Sequence, residues 1–297
     1  MSIIFSNNGL AGINFEHAWG DGVAIMRFFD DILNDNLKHE YVTANENDFL
    51  NQSDINVEEI TFKVSDDIRN TIDEAKSKHL RHVESLEFKA FRREGFGKND
   101  CKKAKVGPDA LMQLAFQIAH LNMKGTFAPT YESCSTAIYK HGRTETVRPL
   151  TKEMKICAEA FARGQLSRNE LIGLMQGCST AHMEMTKNAA TGKGWDRHFF
   201  ALRGLATREG KDVPKIFLDP AFKSINHIIL STSTLSSTSF GVGGFCPVVP
   251  DGFGLGYQIR QQDVGVCSSV YKKNASMADL VSSLESTFNS LAQTIQT

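Results

Sequence analysis

The chain alternates between two hydrophobic periods, and this alternation constrains the fold more than any other sequence feature. Ile60, Phe62 and Val64 alternate with polar residues, which indicates a half-buried strand. Ile68 and Ile72 then restore a period near that of a helix. Since helical and strand-like segments follow one another over 297 residues, the sequence predicts an α/β or α+β architecture in which helices cover a sheet.

Helices are predicted where apolar residues recur at helical spacing or where capping signals occur. Ser167 and Glu170 match a capping box, and Pro108 is placed as a first helical residue. The helices so predicted span residues 23–33, 68–75, 108–118, 151–164, 167–190, about 194–208 and 280–291. Short β-prone segments predict strands at residues 13–15, 60–64, 228–230, 245–249, 253–259 and 264–271. Residues 41–57 are polar and are interpreted as a connection.

Composition excludes several classes of protein. The 33 Lys and Arg residues balance 34 Asp and Glu residues, so charge indicates neither a nucleic-acid partner nor an anionic membrane. No run approaches the roughly 18 apolar residues of a membrane span, and the start lacks a signal-peptide pattern, so we expect a soluble protein. The six cysteines lie far apart without a CxxC pair, which favours reduced thiols and predicts no metal site.

His17 and Asp21 are the first candidates for chemistry. His17 follows a predicted strand and precedes a turn in which glycines flank Asp21. A carboxylate at this spacing can hold an imidazole in one tautomer, as a general base near neutral pH requires. A histidine that only packs or hydrogen-bonds at a turn gives the same pattern, and spacing alone favours that second interpretation.

Four further segments carry groups that could bind or stabilise an anion. Residues 231–234 offer hydroxyls for an oxyanion, or form a polar strand end; the Gly-x-Ser-x-Gly pattern of a serine nucleophile is absent there. Residues 92–105 are basic and open the helix that follows them, as a phosphate-binding loop does. Arg197 could meet a carboxylate or lie exposed. Residues 131–133 and 142–146 could form a small polar pocket or a solvated hairpin.

Several motifs taken together resemble the carnitine acyltransferase family. They are NFEHAWGDG at 14–22, YESCST at 131–136, HGRTET at 141–146, DRH at 196–198, STS at 231–233 and FCPVVPDG at 245–252. The order and spacing match from about residue 13 onward, and the resemblance is strongest to mitochondrial members that transfer palmitoyl groups. It implies a fold like that of chloramphenicol acetyltransferase, a mixed sheet covered by helices. The match covers about the C-terminal half of the family's length. Residues 1–58 would then be the end of a first domain that carries the catalytic histidine, and residues 59–297 the second domain.

The resemblance also implies a reaction: reversible transfer of medium or long acyl groups between coenzyme A and the hydroxyl of carnitine. Coenzyme A is then a co-substrate, and no other cofactor is expected. His17 matches the general base, Asp21 the carboxylate that holds it, and Ser233 the oxyanion donor. The residues that match the carnitine site are Tyr131, Ser133, Thr144, Arg197 and Phe245. Those that match coenzyme A contacts are Lys98, Lys102, Asp109 and Glu132.

Chain-length preference and location follow from the same resemblance. Gly243 matches the position at which short-chain members carry a bulky residue that closes the acyl tunnel, so a long chain should fit. The implied location is the matrix side of the mitochondrial inner membrane, although this chain shows no transit peptide and lacks the family's membrane-associating insertion. The alternative function is a truncated, catalytically inactive fragment that retains ligand or partner binding.

Overall fold

A six-stranded mixed sheet lies at the centre of the computed structural model, which describes residues 1–39, 41 and 58–296. Within those ranges the strands are β1 (Ser2–Phe5), β2 (Ala11–Asn14), β3 (Leu86–Glu94), β4 (Thr130–Ser135), β5 (Thr144–Val147), β6 (Leu230–Thr234), β7 (Phe253–Ile259) and β8 (Asp263–Tyr271). Strands β1 and β2 pair as a separate antiparallel ribbon. The other six follow the order β3-β8-β7-β6-β4-β5. Strand β6 runs parallel to β4 and β7, and the remaining pairs of that sheet are antiparallel.

Helices lie between β2 and β3, between β3 and β4, and between β5 and β6. The helices of the described residues are α1 (Gly22–Asn36), α2 (Asp66–Ser85), α3 (Lys98–Lys103), α4 (Pro108–Lys124), α5 (Lys152–Arg163), α6 (Arg168–Ala190), α7 (Asp196–Arg208), α8 (Pro220–Ile225) and α9 (Met277–Gln296), with a 3₁₀ turn at Lys215–Leu218. The predicted signals act as expected: Pro108 opens α4, and Ser167 and Glu170 form the capping box of α6. Of the helices described, none has the length and apolar character needed to cross a membrane.

Helices α4, α6 and α9 cover one face of the sheet, and α5 packs on α4 and α6. Leu284 and Phe288 of α9 are fully buried, and the ring of Phe288 lies 5.9 Å from that of Phe91 on β3. The ring of Phe116 on α4 meets that of Tyr257 on β7 at 5.4 Å. Each such side chain gains about 1.5–3 kcal/mol on burial, so this layer supplies most of the apolar stabilisation.

The opposite face of β7 carries glycines because another segment of the chain runs directly over it. A Cβ on Gly256 would lie 1.9 Å from the carbonyl oxygen of Gly243, and one on Gly254 would lie 2.3 Å from that of Phe245. No side chain fits these gaps, so the glycines permit the close approach of one backbone to another. The sheet therefore has helices on one face. On the other face, residues 241–249 cross β7, and we call this segment the glycine strap.

The N-terminal residues contact the rest of the chain through α1 and the turn before it. A Cβ on Gly22 would lie 2.8 Å from a methyl group of Leu235. The Asp30 carboxylate accepts hydrogen bonds from the hydroxyls of Ser237 and Ser239. The hydrogen bond from Ser237 holds the pKa of Asp30 below its usual value. The expected domain boundary at residue 58 stays a prediction, because most of the polar connection at 41–57 lies outside the described residues.

The mixed α/β fold is confirmed, and all the predicted helices are present. Two predicted strands are wrong. Residues 60–64 form no strand, and their apolar side chains stay in solvent, with Phe62 80 % exposed. Residues 245–249 form no strand either, because they belong to the strap that crosses the sheet face and because Pro247 has no N–H to donate to a ladder.

Strands β1, β3, β4 and β5 and the short helices α3 and α8 are elements that the hydrophobic pattern did not predict. Strand β3 is rich in charged residues and pairs only with β8 in the described sheet, so it is an edge strand. The predicted basic loop at 92–105 is wrong, since it contains the end of β3 and the short helix α3. Of the two interpretations of residues 131–146, the hairpin is present as the antiparallel pair β4 and β5.

Replacing Phe288 with Ala should lower the free energy of unfolding by about 3–5 kcal/mol, because the substitution leaves a cavity between α9 and β3. Urea denaturation monitored by circular dichroism measures this change. The control is Phe62→Ala at a side chain that is 80 % exposed, which should stay within about 0.5 kcal/mol of the unmodified protein. Equal losses in the two variants would contradict the assignment of the core.

Candidate active site

Alternate residues of β4 project to opposite faces of the sheet, beside the parallel strand β6. Tyr131 reaches Arg197 of α7 on one face, and Glu132 reaches His182 of α6 on the helix-covered face. Ser133 follows on the same face as Tyr131. The strand therefore presents one set of groups to the face that α7 and the N-terminal segment approach, and a second set to the buried helix layer.

Arg197 lies at the centre of the first set. Its Nη2 donates to the Tyr131 hydroxyl at 3.0 Å and to Thr144 Oγ1 at 3.4 Å, and its Nε donates to the Thr144 carbonyl at 3.3 Å. The guanidinium carbon lies 5.8 Å from the centre of the Tyr131 ring. The structure thus brings together three of the five residues that the sequence predicts for carnitine. An exposed guanidinium flanked by two hydroxyls suits a carboxylate ligand.

The start of α7 is held by groups that the sequence reasoning missed. Glu145 Oε1 accepts from the backbone N–H of Arg197 at 3.1 Å, and a Cβ on Gly194 would lie 2.3 Å from the Glu145 side chain. Asp196 Oδ2 accepts from Arg148 Nη2 at 2.6 Å and from its Nε at 3.0 Å. Since Glu145 belongs to β5 and Arg148 directly follows that strand, the strand that carries Thr144 also fixes the direction in which Arg197 points.

His17 and Asp21 lie together, as predicted, and both are tied to the β4–β5 hairpin. His17 Nδ1 lies 3.4 Å from Asp21 Oδ1. Arg143 donates through Nε to Asp21 Oδ2 at 2.9 Å and through Nη2 to the His17 carbonyl at 2.5 Å. The hydrogen bond from Arg143 outweighs partial burial and holds the pKa of Asp21 below its usual value, so this carboxylate is ionised at neutral pH. The ring of His17 is largely exposed.

The serine-rich end of β6 lies beside the part of β7 that the glycine strap crosses. Ser233 is half-buried and pairs in register with Gly256 of β7, the residue over which Gly243 passes. A Cβ on Gly243 would meet no atom within 4 Å. Phe245 is half-buried on the same strap, where its carbonyl accepts a hydrogen bond from Ser269. Neither Ser233 nor Phe245 is hydrogen-bonded to the Arg197 side chain.

The four residues predicted to contact coenzyme A fall into two sets. Lys98 and Lys102 lie on α3, and Lys102 is exposed. Asp109 opens α4 and accepts a hydrogen bond from the Tyr257 hydroxyl at 2.6 Å, while Glu132 is 4 % exposed. A cavity of about 720 Å³ lies between α4 and α6 and is lined by Asp109, His182, Lys105 and Lys187 among others. The lysines of that cavity are therefore not the ones that the sequence reasoning selected.

Asp109, Glu132 and His182 form a compact cluster on the helix-covered face. Their donor atoms lie within 4.8 Å of one another. His182 Nε2 lies 2.9 Å from Glu132 Oε2, and the Tyr257 hydroxyl lies 2.6 Å from Asp109 and 3.3 Å from Glu132. These hydrogen bonds join the cluster and the Tyr257 hydroxyl into one buried network.

Comparison with known proteins settles the family. A family profile described as Choline/Carnitine o-acyltransferase matches residues 1–286. The chain belongs to the choline/carnitine acyltransferase family. The motif residues described above lie within the matched range, in both the N-terminal segment and the six-stranded sheet.

The curated relatives of this chain share much of its sequence. It is 46 % identical over 273 residues to carnitine O-palmitoyltransferase 2, mitochondrial, of Bos taurus, with 91 % of this chain and 42 % of the relative covered. It is 44 % identical over 272 residues to the Homo sapiens protein of that name, with 91 % and 41 % covered. It is 32 % identical over 280 residues to the peroxisomal carnitine O-octanoyltransferase of Bos taurus, with 91 % and 44 % covered. The chain therefore spans less than half the length of these relatives.

Replacing Arg148 with Ala should lower the free energy of unfolding by about 3–5 kcal/mol, since it leaves the Asp196 carboxylate poorly hydrated and unpaired. Both side chains of this ion pair are 13 % exposed. Urea unfolding measures the change. Arg163→Ala removes an exposed helical ion pair with Glu159 and should cost no more than about 1 kcal/mol. A loss in Arg148→Ala as small as in this control would show that the start of α7 is anchored otherwise.

Proposed function

We propose that this chain carries the site for reversible acyl transfer between coenzyme A and the hydroxyl of carnitine. The observation that supports this best is the position of two adjacent residues at the start of β5. Arg143 holds the turn of His17 and Asp21, and Thr144 helps to hold Arg197. The proposed proton acceptor His17 and the carboxylate-binding cation Arg197 are thus both held by contacts with one hairpin.

This arrangement suits carnitine because the hydroxyl and the carboxylate of carnitine are close together in the molecule. The hydroxyl-bearing carbon is two bonds from the carboxyl carbon. A ligand whose carboxylate is bound by Arg197, Tyr131 and Thr144 then has its hydroxyl directed toward the face on which His17 lies. Ser133, on the same face of β4, completes the polar wall in this proposal. Phe245 offers a ring face to the trimethylammonium group, an attraction of about 0.5–2 kcal/mol.

The proposed chemistry needs no covalent acyl-enzyme. His17 takes the proton of the carnitine hydroxyl while the oxygen attacks the thioester carbonyl, and Asp21 stabilises the imidazolium that forms. Ser233 donates to the oxyanion of the tetrahedral intermediate. As the intermediate collapses, the C–S bond breaks and the imidazolium returns its proton to the thiolate of coenzyme A. The reverse reaction begins with removal of the thiol proton.

Coenzyme A is the proposed co-substrate, and the cavity between α4 and α6 supports this assignment. Two lysines line this cavity and offer positive charge to phosphates. Lys105 lies close to α3 in sequence, and Lys187 lies on α6, across the cavity from α4. Lys98 and Lys102 extend this basic surface on α3 in the proposal. The similarity to carnitine O-palmitoyltransferase 2 of mitochondria supports a long acyl chain and a mitochondrial location for this protein as well.

One observation favours a second candidate, a fragment that binds ligands without turnover. The side chain of His17 is 62 % exposed. An exposed base loses the water exclusion that strengthens electrostatic stabilisation of the transition state. Activity and binding therefore have to be measured separately.

Replacing His17 with Ala should abolish carnitine-dependent release of free coenzyme A from palmitoyl-CoA, with a loss of at least about 100-fold. The release of thiol is followed with a chromogenic thiol reagent. His39→Ala, at an exposed histidine paired with Asp35, is the matched control and should leave the rate unchanged. Equal rates in the unmodified chain and in His17→Ala would reject the enzyme and leave the binding fragment.

Replacing Gly243 with Met should shift acyl-chain preference from palmitoyl-CoA toward acetyl-CoA, because the new side chain enters space in which a Cβ meets no neighbour within 4 Å. We expect the ratio of kcat/KM for the two substrates to change by about tenfold or more, as the loss of several buried methylenes requires. Gly241→Met, at another open position of the same strap, is the control. An unchanged ratio in Gly243→Met would contradict the proposed tunnel.

A further inference from the structure

A buried polar network lies directly behind the proposed carnitine site, on the helix-covered face of the sheet. Its centre is Glu132, with His182 Nε2 at 2.9 Å and the Tyr257 hydroxyl at 3.3 Å. Glu132 and His182 are 4 % and 5 % exposed, and Tyr257 is 1 % exposed. Buried groups of this kind are costly unless they are paired, so the network holds its members in fixed positions.

The network is connected to both strands that carry the proposed site. Glu132 lies between Tyr131 and Ser133 on β4. On β6, Thr232 precedes Ser233 and donates through Oγ1 to the Tyr131 carbonyl at 2.8 Å. Thr232 itself accepts a hydrogen bond from Gln113 of α4 at 3.0 Å. A displacement of Glu132 would therefore move the backbone that places Tyr131 and Ser133.

We infer that His182 is a positioning residue of the proposed carnitine site, acting through its hydrogen bond to Glu132 on β4. This inference rests on the proposed function and adds a residue that the sequence reasoning did not identify. His182 lies on α6, on the opposite side of the sheet from Arg197, and so acts on carnitine only through Glu132. The effect should fall on carnitine binding and on the geometry of β4.

Charge explains why a histidine is suited to this position. The groups that face Glu132 are His182 from α6, Asp109 from α4 and Tyr257 from β7. Burial raises the pKa of Glu132 to about 7, although the hydrogen bond from His182 opposes this. Burial lowers the pKa of His182, but the hydrogen bond and charge of Glu132 outweigh it and raise that pKa overall. Near neutral pH the pair therefore holds one proton between a carboxylate and an imidazole.

Loss of that proton should loosen the strand. Both pKa values are raised in the folded protein, so the stabilising proton is held below about pH 7 and is lost as the pH rises through the folded pKa values. Above that range Glu132 is a buried anion close to the Asp109 carboxylate, and its side-chain hydrogen-bond partners among the described residues, His182 and Tyr257, are then neutral. Carnitine affinity should then decrease between pH 7 and pH 9, and Glu132→Gln should remove this part of the pH dependence.

The test compares His182→Ala, His182→Gln and the control His120→Ala in the full chain. His120 is another buried histidine, bonded to the Thr126 carbonyl and not to β4. Calorimetric titration with carnitine should show about tenfold weaker binding for His182→Ala, the equivalent of one buried hydrogen bond. His182→Gln, which can still donate to Glu132, should recover most of the affinity, and His120→Ala should bind as the unmodified chain does.

A second readout does not depend on carnitine. In the free protein, the backbone amide signals of Tyr131 and Ser133 should shift with pH in step with the imidazole nitrogens of His182, and Glu132→Gln should abolish the shift. If the amide signals of Tyr131 and Ser133 shift neither with pH nor in His182→Ala, the positioning role is overturned. If these signals respond but the unmodified chain binds no carnitine, the proposed function fails and the coupling of His182 to β4 stands.

Discussion

The guanidinium of Arg143 is the contact on which the arrangement of the site depends. It joins the turn of His17 and Asp21 to the β4–β5 hairpin across 122 residues of sequence. One planar side chain binds a carboxylate with two nitrogens and a backbone carbonyl as well, a geometry that fixes orientation as well as distance. Lysine offers a single ammonium and could not hold both partners in this way. Without this contact, the turn of His17 and Asp21 would lose its connection to the hairpin, although α1 would keep its packing near Leu235 and the hydrogen bonds to Asp30.

The two faces of the sheet carry different kinds of residues. The helix-covered face contains the apolar core and the Glu132 network, which are buried. The other face carries the exposed Arg197, the hydroxyls that it meets and the glycine strap. Since neighbouring residues of a strand point to opposite faces, one residue of β4 can be part of the support and the next part of the site. Tight packing behind the strand thus determines the geometry in front of it.

Much of this fold follows from local sequence signals. The helices were predicted because apolar period, Pro108 and the Ser167 capping box all act over a few neighbouring residues. Strand β3 was missed because its partner β8 is remote in the chain, and the short strand β5 was missed because most of its side chains are polar. Residues 245–249 had strand-like composition, but composition does not distinguish a strand from a segment that crosses a sheet face.

The site shows the same division between local and distant information. His17 with Asp21, and Arg197 with Tyr131 and Thr144, could be chosen because short motifs contain them. Their supports could not: Arg148 meets Asp196 across 48 residues, and His182 meets Glu132 across 50. Arg143 was the exception, since it lies inside the HGRTET motif and was overlooked although the signal was present. Contacts between distant residues are decided by packing, which one sequence does not display.

The most direct test of the central claim is a crystal structure of this chain with bound carnitine. We predict that the carboxylate contacts Arg197, Tyr131 and Thr144, and that the hydroxyl lies within hydrogen-bond distance of the His17 ring. A carnitine bound to Arg197 with its hydroxyl turned away from His17, or a carnitine bound elsewhere, would contradict the account.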